Sequence, residues 1–326
     1  MSGFSYLLWR ALWEVNLFSV PELYVRCQAA VQERGRAERL FLVDQIGETN
    51  WQRLLAVWGL PDAEAQAVTQ LGVGAVLTEF FVAPVPLAYA GRGAIARLGT
   101  VANLLIGIYD DLVDAGAVQD PLSQRTLQAL LLGQKMSLGE APPLVVLADE
   151  YFRQLAMLPE VDARPQVVRT LRHAIVKMYA AERTTLDARG HAARMAGWQR
   201  KSALPFVVMA LPAWLVATGV CPSAYCRHLR WLCRCGVFWG WVDDAVDLDD
   251  DATAGHPNRV GEALDREAPP VVAARIAEQG PRVLADWRQI TPHSAGLPLA
   301  VQEALPTCLF AVLGHSLSRT RKEVSA

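Results

Sequence analysis

Two aspartate clusters carry the strongest chemical signal in the chain. The first, Asp110-Asp111-Leu112-Val113-Asp114, closes the apolar run 101–109. The second, Asp243-Asp244-Ala245-Val246-Asp247, closes a run from Trp231 to Val242 and is followed by Asp249, Asp250 and Asp251. On a helix, positions i and i+4 share a face, so Asp110 aligns with Asp114 and Asp243 with Asp247. Asp111 and Asp244 stand about 100° round, as further ligands or as support. Carboxylates crowded at a helix end repel one another and the negative end of the macrodipole, and a bound divalent cation relieves both. Hard oxygen donors favour Mg²⁺, which takes one or two carboxylates and completes its shell with water and substrate phosphate. One such cluster alone reads equally well as a solvated acidic helix end. Two in the same apolar-helix context, 133 residues apart, point to a paired metal site.

Other chemistries fit less well. Asp247, Asp249 and Asp251 have the opening spacing of an EF-hand, but Ala252 stands where the turn needs Gly and Asn258 where the bidentate Glu belongs. A D-x-D phosphatase nucleophile needs a preceding strand, and 236–242 reads as helix. Six cysteines (Cys27, Cys221, Cys226, Cys233, Cys235 and Cys308) form no zinc-ligand pattern and are expected to be buried, reduced thiols. The formal charge of −2 offers no basic field, and no nucleic-acid motif is present, so a nucleic-acid partner is not expected. The first residues lack a basic n-region and a small-residue cleavage site, which predicts a cytoplasmic protein.

The elements that must position the aspartates are helical. Apolar residues recur at helical spacing in Trp51, Leu54, Leu55, Trp58; in Leu127, Leu130, Leu131; and in Val168, Leu171, Ile175, Tyr179. Hairpin signatures and alternating β-branched runs are scarce. Pro61, Pro121, Pro142-Pro143, Pro159, Pro222, Pro257, Pro269-Pro270 and Pro298 punctuate the periodic segments. This predicts one all-α domain over 1–326 with ten or more helices, several of them apolar all round and therefore central. A hydrophobic fraction of 52% and a mean hydropathy of +0.18 demand a large apolar interior or membrane contact. The two most apolar stretches, 204–220 and 73–89, are interrupted by Pro205 and Pro212, and by Glu79, Pro84 and Pro86. They therefore read as buried core helices rather than membrane spans.

The two motifs and their separation resemble those of the class I isoprenoid synthases, the trans-prenyltransferases and terpene cyclases that share one all-α fold around a deep apolar cavity. The resemblance covers roughly residues 70–320. It implies that Asp110, Asp111, Asp114, Asp243, Asp244 and Asp247 hold Mg²⁺, three ions in that family, against the diphosphate of a prenyl substrate of about C15 to C25. Met178 to Asp187, followed by Gln199-Arg200-Lys201-Ser202-Ala203-Leu204, is similar to the family's helix before the second motif, whose lysine meets the diphosphate. Arg200, Lys201, His256 and Arg259 are the candidate diphosphate contacts, while Arg319, Arg321 and Lys322 read as surface residues. Withdrawing the diphosphate leaves an allylic cation, which needs a dry pocket with aromatic faces. Phe80, Phe81, Leu105, Ile106, Tyr109, Phe206, Phe238, Trp239 and Trp241 are the candidate cavity walls. A homodimer is implied by the resemblance alone.

Departures from the family pattern bear on the reaction. A chain-elongating enzyme holds isopentenyl diphosphate with a Gly-Gly-Lys-x-x-Arg segment upstream of the first motif. The stretch 72–77 carries no basic residue. Paired arginines should follow the first motif, but 115–124 contains none and Arg125 stands alone. Gly240 replaces the Gln of elongating enzymes, whereas the second motif lacks the Asn-Asp…Ser…Glu triad of many cyclases. The pattern predicts a terpene synthase that cyclises a single prenyl diphosphate. Chain elongation is the alternative, and a non-catalytic partner subunit is the third reading.

Overall fold

The computed structural model describes residues 3–18, 21–60, 62–87, 89–114, 134, 141–187, 189–293 and 296–313. Its elements are α-helices: α1 (Gly3–Glu14), α2 (Pro21–Ile46), α3 (Glu48–Trp58), α4 (Ala63–Val82), α5 (Tyr89–Asp114), α6 (Pro143–Ala156), α7 (Pro165–Asp187), α8 (His191–Ala210), α9 (Ala213–Val216), α10 (Pro222–Val246), α11 (Leu248–Ala254), α12 (Arg259–Leu264), α13 (Pro269–Ala277), α14 (Gln279–Ile290), α15 (Leu299–Gln302) and α16 (Ala304–Leu313). Pro143, Pro222 and Pro269 stand in first turns, where the missing N–H costs nothing. The segment 178–204 is two helices rather than one. It breaks before Gly190, which has φ 87°, a left-handed conformation that favours glycine.

Three packing relations set up the site. α4 packs against α2 and α5; α8 packs against α7 and α10; and α8 also touches α5. The helices that end in the two aspartate motifs, α5 and α10, therefore share α8 as a common neighbour. Gly236 and Gly240, one turn apart on α10, allow the close approach. A Cβ at 236 would stand 2.3 Å from the backbone oxygen of Ser202, and one at 240 would stand 2.0 Å from Ser202 Oγ. Pro205 lies inside α8 and has no N–H to offer the carbonyl four residues back, that of Lys201.

The apolar stretches 204–220 and 73–89 are core segments. α8 ends at Ala210 and the chain turns at Leu211 and Pro212, with residues 206–215 all buried. By length and composition α4 alone among the described helices could cross a membrane. It is instead packed inside the bundle, where Leu71, Ala75, Phe80 and Phe81 have no exposed surface. Two carbonyls in its last turn, left without helical partners, are capped from elsewhere. Trp287 Nε1 donates to Phe80 O at 2.8 Å, and His228 Nε2 to Phe81 O at 2.7 Å. Trp214 Nε1 donates to His228 Nδ1 at 2.9 Å, which fixes a neutral imidazole with its proton on Nε2. Burial holds the His228 ionisation down to about 4, against the opposing pull of the Phe81 carbonyl. The cysteines differ from expectation in one respect. All six are free thiols, but Cys221 and Cys226 are exposed at the start of α10.

Candidate active site

Three helices deliver the charged groups. The last turns of α5 carry Asp110, and the backbone there is helical through Asp114. The side chains of Asp111 and Asp114 lie outside the described residues, as do Arg125, Arg319, Arg321 and Lys322. The middle of α8 carries Lys201, whose Nζ lies 2.9 Å from Asp110 Oδ1. That oxygen is enclosed and receives no well-aligned hydrogen bond, so the ammonium holds it by charge. The end of α10 supplies the second motif. Its regular turns stop at Val246, and Asp247 is the C-cap, with its N–H bonded to Asp243 O at 3.0 Å.

The carboxylates of the two motifs feel one another. Burial and the charges of Asp110 and Asp244 push Asp243 up to about 7, against the pull of Lys201 and Arg259. Asp247 is pushed up to about 8 by desolvation, then by Asp243, Asp251, Asp110 and Asp244. Because Asp247 is exposed at the helix end, the crowd of carboxylates carries more of this rise than burial does. Asp110, Asp243, Asp247 and Lys201 thus form one electrostatic cluster bridging α5, α8 and α10.

Asp244 points into a different arrangement. Its Oδ2 accepts from Arg259 Nε at 2.9 Å and from the Arg259 backbone N–H at 3.3 Å. Arg259 is 2% exposed; its Nη2 donates to Ser202 Oγ at 3.2 Å, and its Cζ lies 4.8 Å over the Trp241 ring. Burial raises the Asp244 carboxyl, and the guanidinium pulls it back. The expected metal ligand Asp244 and the expected diphosphate contact Arg259 are therefore bonded to each other. Only Arg259 Nη1 is left without a hydrogen-bond partner. His256 faces Asp251, with 3.9 Å between Nδ1 and Oδ1, and Arg200 is exposed, about 100° round α8 from Lys201.

Two further residues brace the second motif. Asn258 Nδ2 donates to Asp244 O and to Asp251 Oδ2, both at 2.7 Å, while its Oδ1 caps α12 through Gly261 N–H. Ser5 on α1 donates from Oγ to Ala245 O at 3.0 Å. Both satisfy carbonyls at the end of α10 that have no helical N–H to accept. The capping role of Asn258 was readable from its place before a short amphipathic run. Nothing local marks Ser5, which acts across 240 residues.

The proposed wall residues separate by side of the bundle. An apolar recess is lined by Ala102, Leu105 and Ile106 of α5, Tyr151 and Phe152 of α6, Ile175, Met178 and Tyr179 of α7, and Val208 of α8. Leu105 and Ile106 stand about one turn before Asp110, and Tyr109 meets Tyr179 edge-on at 4.1 Å between ring centres. Trp239, one turn before Asp243, lies 6.2 Å from Phe206, which lies 4.5 Å from Phe81. Phe80, Phe238 and Trp241 depart from the expectation. Phe80 stacks on Trp287 at 4.5 Å and Phe238 is sealed beside Gly280, both with no exposed surface. Trp241 gives its ring to Arg259 and Arg275. Of the expected wall residues Leu105 and Ile106 line the recess, and the rings that line it are those of Tyr151, Phe152 and Tyr179.

The donors at this site fit a hard divalent cation. Asp110, Asp243 and Asp247 offer carboxylate oxygens that lower one another's tolerance for charge, and an ammonium already stands at one of them. Among the described residues no group of three or more His, Cys, Asp or Glu side chains is arranged to hold a metal by itself.

The chain has the all-α class I terpene synthase fold. It is similar to the crystal structure of linalool/nerolidol synthase from Streptomyces clavuligerus in complex with 2-fluorogeranyl diphosphate. The TM-score is 0.55 and the identity 16%, over 88% of this chain and 97% of that one. A second structure of the same synthase matches with a TM-score of 0.55 and 16% identity, over 87% of this chain and 95% of that one. No protein-family model matches the sequence. No curated protein matches it either.

Proposed function

We propose that this protein is a class I terpene synthase that ionises a linear prenyl diphosphate and cyclises the resulting cation, with 1–326 acting as a single domain. The observation that carries the reading is that the helices ending in Asp110 and Asp243 both pack on α8, where Lys201 contacts Asp110, with an apolar recess one turn before Asp110. The fold shared with a synthase crystallised on 2-fluorogeranyl diphosphate supports the same class of substrate.

Asp110 and Asp114 on one side, and Asp243 and Asp247 on the other, would hold Mg²⁺ against the substrate diphosphate. Bound there, the metal supplies Lewis-acid withdrawal of charge from the leaving group and a template for its orientation. Lys201 adds a mobile point charge for a phosphate oxygen. Arg259 fixes Asp244. Leu105, Ile106, Val208 and their neighbours exclude water from the hydrocarbon, and Tyr151, Phe152 and Tyr179 present rings to positive charge.

Cyclisation rather than elongation is favoured by what occupies the places of the second-substrate machinery. Gly72 and Gly74 pack against Val31 and Asn103, where a Cβ would stand 2.1 Å from Val31 O and 2.7 Å from Asn103 Cβ. At Gly240, Ser202 and Arg259 occupy the room that a Gln side chain would need. The test is to incubate purified protein with Mg²⁺ and C10, C15, C20 or C25 prenyl diphosphates and analyse hexane extracts. A hydrocarbon or alcohol formed without isopentenyl diphosphate supports the synthase. A product that requires isopentenyl diphosphate makes the protein an elongating enzyme.

A further inference from the structure

Lys201 stands on the carboxylate that a divalent metal would need. Its Nζ is 2.9 Å from Asp110 Oδ1, and its charge also acts on Asp243 and Asp244. We infer that Lys201 is an internal counter-cation of the paired aspartates, which a diphosphate draws off Asp110 as metal seats there, so that anion and metal enter together. The inference rests on the proposed function and specifies the order in which that site fills.

Charge favours the exchange. A Mg²⁺ ion sits about 2.0–2.1 Å from a carboxylate oxygen, and the ammonium already on Oδ1 competes with it for the same carboxylate. The two cations also repel. Loss of the ammonium without compensation would leave Asp110 against Asp243 and Asp247, a charge cluster that the fold already resists.

The two basic residues of the site differ in freedom. Arg259 is locked by Asp244, Ser202 and the Trp241 ring and is 2% exposed, so it is fixed equipment. The Lys201 and Asp110 side chains are 29% and 34% exposed, and the lysine is a point charge on a four-carbon stem that can turn toward an incoming anion. A diphosphate arriving with its own negative charge offers the ammonium a partner at least as good as Asp110. The vacated carboxylate and the phosphate oxygens then form the hard donor set together. Before that exchange, divalent metal in solution meets an Asp110 that already has a cation on it.

The experiment is titration of the full-length protein with Mn²⁺, read by the electron paramagnetic resonance of free Mn²⁺, with and without inorganic pyrophosphate. In the native protein, pyrophosphate is expected to tighten Mn²⁺ binding by about tenfold or more. Lys201→Met is expected to tighten Mn²⁺ binding in the absence of pyrophosphate by about tenfold, the lower end of what an opposite charge at contact does to a carboxylate. The pyrophosphate effect should shrink correspondingly. Lys177→Met, which removes the same charge from the exposed face of α7, should leave both affinities within about twofold. Lys201→Gln repeats the measurement should the Met variant lose its circular dichroism. The inference is overturned if Lys201 variants bind Mn²⁺ alone no better than the native protein, or if Lys177→Met does as much. A native protein that binds no Mn²⁺ even with pyrophosphate would instead sink the proposed function.

Discussion

Gly240 offers a quantitative test of how the site is assembled. A Cβ there would lie 2.0 Å from Ser202 Oγ, 2.6 Å from Ser202 Cβ and 2.5 Å from Arg259 Nη2. The hydroxyl can rotate away, but the Ser202 Cβ cannot, so Gly240→Ala must push α8 and α10 apart. Overpacking of this kind costs about 1–3 kcal/mol. Separating Ser202 from the guanidinium loses a charged hydrogen bond worth about 1.5–3 kcal/mol. Against this, alanine gains about 1 kcal/mol over glycine inside a helix. The net is a destabilisation of about 1.5–5 kcal/mol, measurable by equilibrium urea unfolding followed by tryptophan fluorescence, with a fall in diphosphate release because Lys201 and Asp244 shift together. Partner substitutions sharpen the test. Adding Ser202→Gly removes both clashing atoms and should restore part of the loss, whereas adding Ser202→Ala leaves the Cβ clash and should not. A Gly240→Ala protein with native stability and native diphosphate release would refute the close approach as a requirement of the site.

Two pH predictions follow from other titratable groups. His228 is held neutral, with its ionisation near 4 against an ordinary 6.5, so the unfolded chain binds its proton first as pH falls. Stability should be full above pH 6.5 and decline by about 3 kcal/mol toward pH 4, with the His228 ring resonance in NMR staying neutral through pH 5. Asp243 and Asp247 run the other way. Their folded values near 7 and 8 exceed the ordinary 3.8, so without metal their contribution favours the fold at acid pH and is lost as pH rises through 7 to 8. Asp247→Asn should therefore raise the metal-free melting temperature at pH 8.5 by an amount equivalent to about 1 kcal/mol, after discounting for its exposure. An unchanged or lower melting temperature would contradict the crowding.

What the sequence disclosed depended on whether the physics was local. Asp110 and Asp243 were legible because helical spacing and the apolar runs before them place them at helix ends, whereas Lys201 was marked only by the family resemblance. The all-α class was legible from periodicity and proline punctuation, and Pro222 opens α10 as its position suggests. The pairing of Asp244 with Arg259 was not legible. It depends on the chain after α11 folding back so that Asn258 and Arg259 reach the motif. Phe80 and Phe238 were misplaced because nothing in the sequence marks whether an aromatic side chain before a motif faces a recess or packs on Trp287 or beside Gly280. Gly240 read as a missing glutamine. Its physical content, a contact with Ser202, emerges only when two helices meet. Ser5, bonded to Ala245 from the first helix, had no local signal at all.

The central claim is that the two aspartate-bearing helix ends act together on one diphosphate. The most direct measurement is the rate of inorganic diphosphate release from a prenyl diphosphate in Mg²⁺ for Asp110→Ala and Asp243→Ala. Each variant is predicted to lose at least about 10³-fold in rate, because each removes a ligand from the metal-phosphate assembly, while circular dichroism stays native. Retention of near-native diphosphate release by either folded variant would contradict the claim.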